Sequence, residues 1–285
     1  MTMTRHLTTL ANLAFASCAA LFVAAAPARA AAVAPAEDAA LKAAIASPHR
    51  TPANVARDGA RHPYETLSFF GIKPTQTVVE LSPGGGWYTE ILAPYLREKG
   101  QLILAGDDPA SEQAYFQRSA ARMKAKLEAL PAVYDKVQVT VFAPGAGKFD
   151  YAKPGSADLV LTFRNVHNWI SAGEGKAQAV FNSAFAALKP GGVFGVVEHR
   201  RPVGQEQDAK ASSGYVHQAY VIKLAENAGF KLAASSEVNA NPKDTADHEG
   251  GVWSLPPTFG LKDKDRARFD SIGESDRMTL KFVKP

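Results

Sequence analysis

The stretch Val78-Val79-Glu80-Leu81-Ser82-Pro83-Gly84-Gly85-Gly86-Trp87-Tyr88-Thr89 decides the architecture of this chain. An apolar run, Thr77 to Leu81, carries an acid near its end and reads as a buried strand. Three consecutive glycines follow, and a helical pattern then runs from Trp87 to Glu98. A strand turning into a helix through glycines lets a ligand approach bare backbone. The helix start then offers free N–H groups and partial positive charge to a carboxylate or phosphate. A tight turn alone does not need three glycines, so Glu80, Ser82, Gly84, Gly85, Gly86 and Trp87 are read as a ligand loop.

Outward from this unit, strands and helices alternate. Gln101–Gly106 (QLILAG), Val137–Phe142, Asp158–Thr162 (DLVLT), Val193–Glu198 and Lys231–Val238 read as strands. Glu112–Leu130, Gly175–Leu188 and Tyr215–Ala228 read as the helices between them. Between Lys231–Val238 and a last strand, Met278–Val283, lies no helical pattern but a Pro-, Gly- and Asp-rich segment, 239–275. The expectation is an α/β fold: a Rossmann-like, doubly wound, seven-stranded sheet, mostly parallel with an antiparallel last strand. The domain is expected over 64–285, with 239–275 as a lid and 31–63 as a linker and basic segment.

Asp107 and Asp108 close the second strand, Asp107 lying 21 residues past Gly86. An acid there can accept both ribose hydroxyls of a nucleotide cofactor. An Asp-Asp-Pro sequence can equally cap the next helix, so one aspartate can cap while the other binds; Asp107 and Asp108 are both cofactor candidates, with Asp107 preferred for the ribose. The loop is no phosphate-binding Walker loop, and Gly145-Ala146-Gly147-Lys148 lacks the flanking residues of one. As a dinucleotide fingerprint the stretch is imperfect, because Thr89 stands where a third glycine belongs.

The ends of the chain's composition are ordinary: 285 residues, 46% hydrophobic and 21% charged, with a formal charge of +4. That balance calls for neither nucleic acid nor an anionic membrane as partner. Arg5 and His6 precede an apolar run from Leu7 to Ala26 that ends at Ala28-Arg29-Ala30. This is the pattern of a cleaved export signal over 1–30, with the mature chain in the periplasm; lipidation at Cys18 is the alternative. Cleavage lowers the charge to +2 and removes the only cysteine, which excludes disulfides and thiolate chemistry. The seven histidines show no ligand spacing, so no metal is expected.

Ser156-Ala157-Asp158-Leu159-Val160-Leu161-Thr162 and Ala187-Leu188-Lys189-Pro190-Gly191-Gly192-Val193 are similar to the fourth- and fifth-strand segments of the class I S-adenosylmethionine-dependent methyltransferases. Gly229-Phe230 and the helix-free link to the last strand fit the same family, over 78–283. Arg57-Asp58, Arg61-His62-Pro63 and Phe163-Arg164-Asn165-Val166-His167-Asn168-Trp169 resemble an exported branch of predicted methyltransferases. Ser82 departs from the family, standing where its first loop glycine belongs.

The resemblance implies S-adenosylmethionine as cofactor and a small-molecule acceptor. In this fold the acceptor lies beyond the carboxyl ends of strands four and five. Arg164, Asn165, His167 and His199 are the candidates there, with His199 first for a general base. His248, Trp253 and Phe259 are candidates for the wall of the lid. An exported nucleotide-binding protein without catalysis and an NAD-dependent oxidoreductase remain alternatives.

Overall fold

The computed structural model describes residues 1–2 and 38–285, so residues 3–30 of the leader, with Cys18, and 31–37 of the expected linker lie outside the described residues. Seven strands form one sheet: β1 Thr77–Leu81, β2 Gln101–Gly106, β3 Gln138–Val141, β4 Ala157–Phe163, β5 Leu188–His199, β6 Lys231–Ser236 and β7 Arg277–Val283. Their order is β3-β2-β1-β4-β5-β7-β6. Strands β1 to β5 are parallel, and β7 runs antiparallel to both β5 and β6. This is the expected fold class. It is also not the dinucleotide order, in which a sixth parallel strand lies beside the fifth.

Helices cover both faces, which is why the central strands read as continuous apolar runs. On one face α8 (Val166–Ser171), α9 (Lys176–Ala187) and α10 (Gln218–Asn227) pack on Val79, Leu81, Ile103, Val160 and Phe194. On the other, α1 (Ala39–Ile45), α4 (Pro63–Phe70), α5 (Thr89–Leu96) and α6 (Ala114–Ala129) pack on Val78, Leu102, Leu104, Leu159 and Leu161. Completing the set are α2 (Pro52–Val55), α3 (Asp58–Arg61), α7 (Pro131–Tyr134) and α11 (Arg266–Ile272).

The stretch expected as a linker is folded from Asp38 onward and belongs to the same compact unit as the sheet. The physical reason is a cap and two buried contacts. Asp38 caps α1 through Leu41 N (3.0 Å) and also binds the Tyr95 hydroxyl, while its own N–H donates to Tyr64 Oη (2.9 Å). Leu41 and Ala44 are buried. Further on, Arg50 pairs with Asp58 through two bonds of 2.6 and 2.8 Å.

The segment expected as a lid is likewise fastened down. Asn239 donates to Thr66 and Thr279 at 3.0 and 2.9 Å. Buried Asp244 accepts from the Tyr215 hydroxyl (3.0 Å), the Ala246 N–H (3.0 Å) and the Asp276 N–H (2.8 Å), and it binds His248 Nε2 (2.8 Å). A buried carboxylate is tolerated only with this many partners.

Helix α4 fits tightly against the sheet because β5 presents no side chain at Gly195. A Cβ there would lie 2.7 Å from Leu161 and 2.8 Å from the Phe70 ring. Gly195→Ala is therefore expected to destabilise the protein by about 1–3 kcal/mol through overpacking. Urea unfolding measures this, and an unchanged midpoint would show that α4 is not seated as described.

Candidate active site

The order of strands reverses between β1 and β4, and loops leaving two such strands diverge and open a crevice. A pocket of about 230 Å³ occupies that place. Its walls are the glycine loop after β1, the turn after β4 with Phe163, Arg164 and Asn165, and Asn54, Arg57 and Arg61 from the amino-terminal helices.

The loop's conformation explains its sequence. Ser82, Gly84 and Gly86 all have positive φ, at 49°, 58° and 77°. Ser82 thus takes the left-handed geometry that glycine usually supplies, at a cost of about 1–2 kcal/mol. Its neighbours hold it there. Asn165 Nδ2 donates to the Leu81 and Ser82 carbonyls, both at 3.2 Å, and to Thr162 Oγ1 at 3.1 Å. The three glycines differ in role. A Cβ on Gly84 or Gly85 would meet nothing within 4 Å, whereas one on Gly86 would lie 3.2 Å from Lys126 and 3.3 Å from Met123. Gly86, expected at the ligand, is buried against α6 instead, and the open backbone is at Gly84 and Gly85.

Glu80 lies beneath the loop, 2% exposed, and accepts from Thr89 Oγ1 at 2.7 Å. Burial raises its carboxyl to about 8. Trp87 is also buried, donates to the Asn54 carbonyl at 2.9 Å and lies under the Arg61 guanidinium at 4.8 Å. Of the two aspartates after β2, Asp108 is taken up by the Ala110 N–H (2.9 Å) and Lys148 Nζ (2.5 Å). It caps and pairs, and is withdrawn from the expected cofactor contact. Asp107 is half-buried and makes no side-chain hydrogen bond among the described residues.

Arg164 has φ 62°, a strained backbone of the kind that collects at functional sites. Its guanidinium is half-buried without a hydrogen-bond partner among the described residues. Arg57, Arg61 and Arg277, which sequence reasoning passed over as site residues, converge nearby on Glu274. Arg57 Nε lies 2.6 Å, Arg61 Nε 3.1 Å and Arg277 Nη1 3.0 Å from its oxygens. Burial opposes the charge on Glu274, yet Arg61, Arg277 and Arg57 hold its carboxyl down at about 2.

Adjacent to this cluster stand two histidines of unequal situation. His167 opens α8, and its Nδ1 lies 3.0 Å from Oε1 of Glu198, which is fully buried. The same carboxylate accepts the backbone N–H groups of His167 (3.2 Å) and His199 (2.7 Å). As an acceptor of N–H bonds, Glu198 directs the His167 proton to Nδ1 and leaves Nε2 with a lone pair. His199 Nδ1 bonds Ser275 Oγ at 2.5 Å. Burial, then the charges of His167, Arg164, Arg277 and Arg61, push His199 well below the usual histidine range. His167 therefore carries a carboxylate partner on its ring where His199 carries a hydroxyl. Trp253 stands 6.0 Å from the His167 ring. His248 is buried on Asp244 and Phe269, and Phe259 lies under Arg266 at 3.5 Å, so neither reaches the site.

His167, Glu198 and His199 are the one group among the described residues close enough to share a metal, their donor atoms lying within 4.8 Å of one another. Both Glu198 oxygens already accept N–H bonds, and three arginines lie close by, a poor setting for a dication.

No family model matches this chain and no curated protein does. Solved structures do. A SAM-dependent methyltransferase from Aquifex aeolicus is 15% identical, with TM-score 0.52 over 81% of this chain and 93% of its own. Geranyl diphosphate C-methyltransferase from Streptomyces coelicolor A3(2), solved with Mg2+, geranyl diphosphate and S-adenosyl-L-homocysteine, is 13% identical, with TM-score 0.53 over 85% and 88%. The [4+2]-cyclase SpnF is 13% identical, with TM-score 0.50 over 79% and 80%. These likenesses establish the class I methyltransferase fold.

The lowered carboxyl of Glu274 makes a prediction about acid stability. Relative to an ordinary 4.5, a folded value of about 2 contributes roughly 3 kcal/mol, complete above pH 4.5 and lost as pH falls through 2. Glu274→Gln should lower stability by about that amount at pH 7 and flatten its decline between pH 5 and 2. Denaturant titrations across that range measure it, and an unchanged profile would detach Glu274 from the arginines.

Proposed function

We propose that this protein is an S-adenosylmethionine-dependent methyltransferase acting on a small molecule. The observation that carries this reading is the open backbone of Gly84 and Gly85 at the β1/β4 switch point, with the unpartnered Asp107 at the end of β2. An amino-acid moiety fits over bare backbone at the loop, and a ribose fits a carboxylate at the next strand. The structural neighbours that bind this cofactor share the fold. Fold alone does not fix chemistry, as the cyclase among them shows.

The reaction is an in-line displacement. The cofactor, when bound, would supply a methyl group on a sulfonium, which the acceptor's lone pair would displace in line while the sulfur leaves as a neutral thioether. An acceptor O–H or N–H must also lose a proton, for which His167 Nε2 is assigned, with Glu198 stabilising the imidazolium. The protein otherwise supplies alignment and exclusion of water. The pattern of the amino-terminal leader supports an exported mature chain.

Gly85→Val tests the cofactor site. The residue has open space and an ordinary φ, so the free protein should keep its melting temperature while S-adenosylhomocysteine no longer raises it. Asp107→Ala should weaken the same ligand by about 1–3 kcal/mol. Full affinity in both variants would remove the pocket from the account.

His167→Gln should lower turnover about 10²–10⁴-fold with cofactor affinity intact. His199→Gln should act on stability more than on rate, because it breaks the buried bond between Nδ1 and Ser275. Undiminished turnover in His167→Gln would strike it as the base.

A further inference from the structure

Four guanidinium groups gather at one side of the pocket around a single carboxylate. Arg57, Arg61 and Arg277 share Glu274, and Arg164 has no acid of its own. Of the other nearby acids, Glu80 feels Arg164 but is buried on Thr89 with its carboxyl raised to about 8, and three more are paired elsewhere. Asp58 pairs with Arg50, Glu90 with Lys126, and Asp276 with Arg200. Arg61 and Arg277 are each 2% exposed, and Arg61 Nη1 and Arg277 Nε are buried without an acceptor. Burial and then Arg164 depress the Arg61 guanidinium to about 8, and burial and then Arg277 bring Arg164 to about 10. Both shifts come first from burial and then from neighbouring positive charge, in line with the crowding of the four guanidinium groups.

Buried charge left unpaired is costly, and a protein keeps it where a ligand completes it. The proposed cofactor does not. Its amino-acid end carries one ammonium for its one carboxylate, and its sulfonium adds a further positive charge. Docking it beside the arginines leaves the excess in place. Arginine forks also match paired oxygens, as on phosphate or carboxylate, better than any neutral group.

We propose that Arg57, Arg61, Arg164 and Arg277 hold a multiply charged anionic group, a phosphate monoester or a dicarboxylate, carried by the methyl acceptor. Three of the four, Arg57, Arg61 and Arg164, line the pocket beside the open glycines, so such a group would anchor the acceptor next to the transferable methyl. The assignment rests on the methyltransferase reading and narrows its substrate class. It also gives a reason for the strained backbone of Arg164: the left-handed turn is tolerated at the residue that has no partner until the ligand arrives.

Calorimetry of the purified protein with inorganic phosphate and with malonate, against sodium chloride at matched ionic strength, tests this. Each titration is run with and without saturating S-adenosylhomocysteine, and melting temperatures are read in parallel. Phosphate and malonate are expected to bind in both conditions and chloride in neither. Arg164→Gln, which loses no bond within the protein, should fold normally and bind phosphate about tenfold or more weakly, with S-adenosylhomocysteine affinity unchanged. No binding of either anion to the parent protein would overturn the proposal. So would displacement of phosphate by S-adenosylhomocysteine one for one, which would seat the cofactor's carboxylate in the cluster and leave the methyltransferase reading standing. Phosphate binding with no S-adenosylhomocysteine binding would instead bring down that reading, and the acceptor assignment with it.

Discussion

One carboxylate, Glu274, holds together parts of the chain that are otherwise far apart. It lies just before β7, yet its partners are Arg57 and Arg61, more than 200 residues earlier, and Arg277 three residues later. Through these bonds α2 and α3 are drawn to the carboxyl end of the sheet and become one wall of the pocket. Without that anchor, four positive side chains would face one another in a buried place, where unpaired charge is strongly disfavoured. The antiparallel β7 belongs to the same logic. By returning between β5 and β6, it brings Glu274, Ser275 and Arg277 to the edge where β4 and β5 end.

That edge is layered. The outer layer is cationic, with Arg57, Arg61 and Arg164 at the pocket. Behind it, Glu198 binds His167 and Ser275 binds His199, so each imidazole has one nitrogen fixed and one left over. The two histidines are 5.4 Å apart, ring to ring, and the same positive surroundings disfavour charging His199. Of the two rings, His167 bonds a carboxylate and His199 a hydroxyl.

The sheet was legible because buried parallel strands are apolar throughout, as in Thr77–Leu81 and Ala157–Phe163. The antiparallel β7 was legible because 239–275 shows no helical pattern, although the structure does place the seven-residue α11 there, too short to carry one. Strand β5 begins earlier than its apolar core, since Leu188 pairs with Ala157 across an irregularity that the Pro-Gly-Gly sequence conceals. The short helices before residue 63 carry too few residues for a periodic pattern, and their fixing contacts, such as Asp38 with Tyr95, are long-range. The glycine loop announced itself, but not which glycine faces a ligand. Gly86 is excluded by Met123 and Lys126, residues of a helix that sequence spacing does not place above it. The arginine cluster was invisible for the same reason: its members are scattered, and only the fold assembles them.

A ligand held at the switch point between β1 and β4 is what the glycine loop and Asp107 would serve. A crystal structure of the protein grown with S-adenosylhomocysteine measures this directly. The homocysteine end should lie against Gly84 and Gly85, and the ribose hydroxyls should be within hydrogen-bond distance of Asp107. A structure with the ligand elsewhere, or with the pocket empty at saturating ligand, would contradict it.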